Sequence, residues 1–127
     1  MYSLTIRSHM MIAHSLPDSY FGLAQNLHGA TYITDVTFCS KELDNRSVVI
    51  DIGYAHKILD ETIGLLNYSN LDDLPQFLGI LTTTEFLARY IHDCLVEKLT
   101  PIFKGKILVT LGESPTAWAC FEGDFIK

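Results

Sequence analysis

Positive charge is scarce in this sequence. Nine Lys and Arg stand against 15 Asp and Glu in 127 residues, a formal net charge of −6. The basic residues Lys41, Arg46, Lys57, Arg89, Lys98, Lys104 and Lys106 are scattered. Neutralising a phosphate backbone needs clustered Lys and Arg, so nucleic acid is not an expected partner. Long apolar runs are missing too, and none approaches the ~18 residues that a membrane span requires. Arg7 and His9 interrupt the first apolar stretch, which is not the layout of a signal peptide. The expectation is a cytoplasmic protein with no membrane partner. Cysteine is sparse: Cys39, Cys94 and Cys120 are far apart, with no C-x-x-C pair. Zinc-finger and redox-motif readings therefore fail, and free thiols are expected. Repeats, low-complexity tracts and linkers are absent as well.

What remains is a chain that is 48% apolar, long enough to bury one core without staples. It reads as a single domain over residues 1–127. Tyr2, Leu4, Ile6, Met10, Ile12 and His14 share one parity, opposite Ser3, Thr5 and Arg7, which predicts a strand over 2–14. A loop follows over 15–26, with Pro17, Asp18 and Gly22. A second strand spans about 27–39, rich in Thr, Tyr, Ile and Val. The spacing of Ile52, Ala55, Ile58, Leu59, Ile63 and Leu66 predicts a helix over 52–66, with Asp51 as N-cap. A second helix is expected over about 83–99, with Leu87, Ile91, Leu95 and Leu99 inward. Thr82 and Glu85 have the spacing of a capping box. Arg89 is four residues from both Glu85 and Asp93 and is expected to pair on the outer face. Two strands close the chain, over 107–113 and 117–122. The order is β-β-α-α-β-β: an α+β fold, with a four-stranded antiparallel sheet and two helices on one face. Such a small sheet leaves edges, and closing them into a barrel between subunits removes them. A homo-oligomer is expected.

His14 ends the first strand and His28 opens the second, so antiparallel neighbours can bring the two imidazoles together. Histidine is the commonest zinc ligand. On spacing alone, two unrelated histidines, one capping a loop and one half buried, are the plainer reading. Strand metal sites often use H-x-H, because residues i and i+2 share a face, but Ala30 stands where the second His would be. His9 lies on the opposite parity. His56 and His92 read as solvated helix positions. Glu113, at a strand end before a turn, can accept from a donor–donor edge of a heterocycle; a solvated turn carboxylate is the plainer alternative. Glu85 divides between the capping box and a functional role, while Asn67 and Tyr68 are unremarkable alone.

Taken together, an ordered set of segments is familiar: Ile12-Ala13-His14-Ser15-Leu16, Leu27-His28-Gly29-Ala30-Thr31-Tyr32, Val49-Ile50-Asp51-Ile52-Gly53, Leu66-Asn67-Tyr68, Thr83-Thr84-Glu85-Phe86-Leu87-Ala88 and Val109-Thr110-Leu111-Gly112-Glu113-Ser114. In this order and approximate spacing they resemble the 6-pyruvoyl-tetrahydropterin synthase and 6-carboxy-tetrahydropterin synthase family, which has the T-fold (tunnelling fold). The resemblance spans nearly the whole chain. It implies that His14 and His28 match two of the family's three zinc-binding histidines, with Ala30 in place of the third. The family's nucleophile-like Cys falls at Ala24, and its catalytic Asp-His pair falls at Asn67-Tyr68. The pterin-binding glutamates match Glu85 and Glu113, in a segment that includes Thr84.

The resemblance thus implies a pterin-like ligand held by Glu85, Glu113 and Thr84 through charge-assisted hydrogen bonds. It implies zinc at His14 and His28, with a shell that another donor or water must complete. Tyr68 becomes the candidate for a different catalytic acid, since its ordinary pKa near ~10 makes it a poor base at neutral pH. A trimer or hexamer is expected. The function that follows is lyase-type chemistry on a pterin or related heterocycle. Two alternatives stand beside it: a non-catalytic pterin- or purine-binding relative with a vestigial metal site, and a structural oligomer.

Overall fold

In the computed structural model, which describes residues 1–127, the sheet forms around a long hairpin. Strands β1 (Tyr2–His14) and β2 (His28–Ser40) pair antiparallel from Tyr2–Ser40 to His14–His28. Alternation decides which side of the hairpin is wet. Ile6, Met10, Ile12 and His14 are buried on one face of β1, while Thr5, Arg7, His9 and Met11 are exposed on the other, as period-two patterning requires. Helix α1 (Ile52–Gly64) follows, with Asp51 accepting from the Tyr54 N–H at its start. Helix α2 (Thr84–Leu99) packs beside it. Strands β4 (Lys106–Ser114) and β5 (Ala117–Glu122) then extend the sheet antiparallel from β2. Both helices cover the same face. Their buried residues, among them Leu59, Ile63, Leu87, Ile91 and Leu95, join Met10, Val36, Val109 and Leu111 of the strands in a core of 23 residues. A buried side chain of this size contributes about 1.5–3 kcal/mol.

The structure departs from the expected pattern in particular places. The sheet has five strands, in the order β3-β1-β2-β4-β5, because Ser69–Asn70 (β3) pairs with Ile12 and Ala13 of β1. That pairing is parallel, so the sheet is not purely antiparallel. Two residues carry no periodicity by which a sequence could announce them. The loop after β1 holds a kinked 3-10 segment, Ser19–Gln25, capped by Asp18. Helix α1 ends at Gly64, two residues earlier than expected, and Ile52 on its first turn is exposed.

The N-cap of α2 is Thr83, whose hydroxyl accepts from the Phe86 N–H, not Thr82. Thr82 is turned inward instead and bonds His14. The capping box fails because its Thr has a stronger tertiary partner. Arg89 pairs with Asp93 at 3.7 Å, and no ion pair joins it to Glu85. His92, expected in solvent, is 6% exposed and packs against Phe121, with its Nδ1 at 2.9 Å from Asp93. β5 extends over that side of α2 and covers what the helix pattern alone leaves open. No helix of the protein is long and apolar enough to cross a membrane.

Candidate functional site

Where β1 hands over to β2, the last register pair is His14 with His28. Their rings meet edge to face with centroids 4.6 Å apart. The two histidines singled out by sequence are therefore neighbours. Asn26 fixes one of them: its carbonyl accepts from His28 Nδ1 at 2.8 Å. A carbonyl only accepts, so Nδ1 of His28 carries the proton and the neutral ring keeps a free lone pair on Nε2. His14 Nδ1 and the Thr82 hydroxyl are hydrogen-bonded at 2.9 Å. His14 is 3% exposed. Burial holds its pKa below the ordinary histidine value; the nearby His28 adds to the lowering, against weaker opposing effects of Asp72, Thr82 and Glu113.

Both histidines open onto a cleft of about 210 Å³ lined also by Leu16, Phe21, Ala24, Tyr32, Thr83, Thr84, Glu85 and Glu113. Besides His14 at the end of β1 and the loop that follows it, three elements build it. The N-terminus of α2 presents Thr83, Thr84 and Glu85, the end of β4 presents Glu113, and the start of β2 presents His28 and Tyr32. The Thr84 hydroxyl donates to Glu113 Oε2 at 3.3 Å, tying helix to strand. The helix terminus also favours negative charge, where Glu85 sits. The cleft thus has imidazoles and two carboxylates among its walls, with an apolar floor of Leu16, Phe21 and Ala24. Carboxylates of this kind accept from adjacent N–H donors of a heterocycle.

Of the residues picked out by sequence, His14, His28, Thr84, Glu85 and Glu113 share this cleft, as does Ala24. Tyr68 does not: it is 81% exposed, beside β3, with a left-handed backbone (φ 61°). Its N–H donates to the Met11 carbonyl at 2.6 Å, and the Asn67 side chain accepts from the Met11 N–H at 2.9 Å. Asn67-Tyr68 therefore clips onto the edge of β1. Two residues at or behind the cleft carried no site role in the sequence. Tyr32 lies four residues beyond His28 on the same strand face, a signal that alternation offered. Thr82 left no signal, since its bond to His14 spans 68 positions.

As a metal centre the chain is incomplete. It contains no group of three His, Cys, Asp or Glu side chains placed to hold an ion. A zinc enzyme ordinarily supplies three protein ligands. His14 and His28 fit two of them, and Ala30 supplies none.

A small α+β domain with helices on one face of its sheet, and a cleft walled by imidazoles and carboxylates, is the class that fold and site define. The chain belongs to the 6-pyruvoyl tetrahydropterin synthase family, whose model matches residues 3–124. It is 25% identical over 127 aligned residues to a 6-carboxy-5,6,7,8-tetrahydropterin synthase of Bacillus subtilis (strain 168), covering 95% of this chain and 85% of the relative. It is 32% identical over 93 residues to a 6-pyruvoyl tetrahydrobiopterin synthase of Dictyostelium discoideum, covering 71% and 69%. Among solved structures, the 6-pyruvoyl tetrahydropterin synthase of Caenorhabditis elegans superposes with a TM-score of 0.81 at 19% identity, over 97% of this chain and 96% of that one. At that identity the likeness shows a shared fold, the T-fold.

Proposed function

We propose that this protein binds a pterin or a related heterocycle in the cleft and acts on it with lyase-type chemistry. The observation that carries the reading is the convergence of Glu85, Glu113 and Thr84 with His14 and His28 in one cavity. Glu113 and Glu85 take the N–H donors of the ring, and Thr84 holds Glu113 in place. His14 and His28 line the same cavity, and imidazoles so placed can move a proton to or from a bound ligand. In this reading zinc binds at the same two imidazoles, with a further donor from outside the chain or from water. When bound it would act as a Lewis acid. Tyr68 enters the chemistry only if a second copy brings it to a neighbour's cleft, because in its own chain it is exposed and apart. The assembly is then a homo-oligomer, trimer or hexamer, whose sheets close into a barrel.

A non-catalytic relative that binds a pterin or purine is the second reading. Ala24 and Ala30 favour it, since both line or flank the site with side chains that transfer no proton and bind no metal. One experiment separates the readings. Fluorescence titration with 7,8-dihydroneopterin and with its triphosphate, followed by product analysis and metal analysis, gives binding with turnover for the enzyme and binding alone for the relative. Glu113→Gln removes the negative acceptor and should weaken binding at least a hundredfold with the fold intact. Unchanged binding in that variant, or a ligand seated away from both carboxylates, sinks the proposal.

A further inference from the structure

Tyr32 is the one buried titratable side chain of the cleft that neither reading has used. Register puts it beside Glu113. The last paired residues of β2 and β4 are Ile33 and Gly112, so Tyr32 and Glu113 leave the ladder next to one another. Both line the cavity, and Tyr32 is 1% exposed. The Thr84 hydroxyl is its polar neighbour and gives its own proton to Glu113, so toward the phenol it can only accept. The phenol is therefore a donor, and a ligand carbonyl in the cavity can take its proton in place of Thr84.

We propose that Tyr32 is a specificity-determining residue, donating a hydrogen bond to the ring carbonyl that flanks the N–H donors held by Glu85 and Glu113. The inference rests on the proposed function. An amino-pyrimidinone edge presents, in sequence, an amino donor, a ring N–H donor and a carbonyl acceptor. Two carboxylates satisfy the donors and repel the carbonyl. A proton donor must therefore stand beside them, and the phenol beside Glu113 is that group. It keeps its proton across the working range: burial raises its pKa above the ordinary tyrosine value, and Glu113 and Glu85 add to the rise against the opposing Thr84 hydroxyl. A site built to bond a ligand carbonyl rejects analogues that lack it, because the buried donor is then unpaired.

The test compares pterin with 4-thiopterin, which keeps both N–H donors but offers sulfur, a weak acceptor. The full chain should bind pterin about tenfold more tightly, the scale of one buried hydrogen bond. Tyr32→Phe fills the same space, so thermal melting should confirm a folded protein. In this variant the affinity for pterin should fall to that for 4-thiopterin, with the latter unchanged. A preference that survives in Tyr32→Phe overturns the assignment, as does a wild-type protein that binds both equally. If wild type binds neither compound, the proposed function falls and takes this inference with it. If Glu113→Gln abolishes pterin binding while Tyr32→Phe leaves the preference intact, the function stands and only the role of Tyr32 is lost.

Discussion

Single residues divide here into those placed by their own chemistry and those placed by distant partners. His14 belongs to both groups. It sits on the apolar parity of β1, which buries it, and it gains Thr82 and His28 only through tertiary contact. Its pKa is lowered by burial first and by His28 second. The sign of the stability effect follows. The unfolded chain binds the proton more readily than the folded one, so this residue's contribution is complete above the ordinary histidine pKa, about 6.5. It is lost as pH falls through the lower, folded value. Urea denaturation between pH 7.5 and 5 (a range chosen as about one unit above and 1.5 below that value) should show stability declining on acidification. His14→Gln, which cannot titrate, should flatten that decline, and an identical pH slope in wild type and variant would remove His14 as its source. Most of the candidate site was legible at this scale: His14, His28, Glu85 and Glu113 stood out by residue type and position, and the family resemblance added Thr84. Tyr32 was not, because a Tyr in a strand reads as core until its neighbours are known. His92 misled for the reverse reason. Helix periodicity placed it outward, and the covering strand β5 is separated from it by 24 or more positions in the sequence.

Secondary-structure elements were more legible than side-chain partners. β1, β2, α1, α2, β4 and β5 fall within a residue or two of their expected bounds, because period-two and 3.6-residue patterns are local. The two-residue β3 lacks any such pattern, and its neighbours hold it by Asn67 and Tyr68 bonding to Met11. At the start of α2 three consecutive threonines offered competing caps, and local spacing pointed to Thr82, the wrong one. Tertiary contact decides: Thr82 goes to His14, Thr83 caps, and Thr84 goes to Glu113. Each therefore has a distinct mutational signature. Thr83→Ala removes the cap and should cost about 1 kcal/mol of stability by urea denaturation. Because the cap orients the turn that carries Thr84 and Glu85, pterin affinity should fall with it. Thr82→Ala should leave helix capping untouched but free the His14 ring. Equal stability of wild type and Thr83→Ala would count against this division of labour.

At the scale of the whole molecule the sheet is only half used. Helices cover one face, and the other carries Thr5, Arg7, Met11, Ile33 and Trp118 in the open, with Asp35 half-buried among them. Arg7 and Asp35 form a two-pronged ion pair there, with Arg7 Nε donating at 2.7 Å and Nη2 at 3.0 Å. Ile33 is 40% and Trp118 66% exposed, side by side across Gly112. The edges are free as well. β1 is paired on its outer side only at Ile12 and Ala13, and β5 has no strand beyond it. A long unpaired strand is a template for another chain. In the proposed homo-oligomer the β1 edge of one copy would join the β5 edge of the next, and the open face would turn inward as the wall of a barrel. Head-to-tail pairing forms a ring where its rotation closes, and the species the proposal expects are a trimer or a stack of two trimers. Analytical ultracentrifugation should give the mass of three or six chains. Trp118→Asp places charge beside the seam and should shift the distribution toward monomer. A wild-type protein that stays monomeric at high concentration would leave both edges unexplained and remove any route by which Tyr68 reaches a neighbouring cleft.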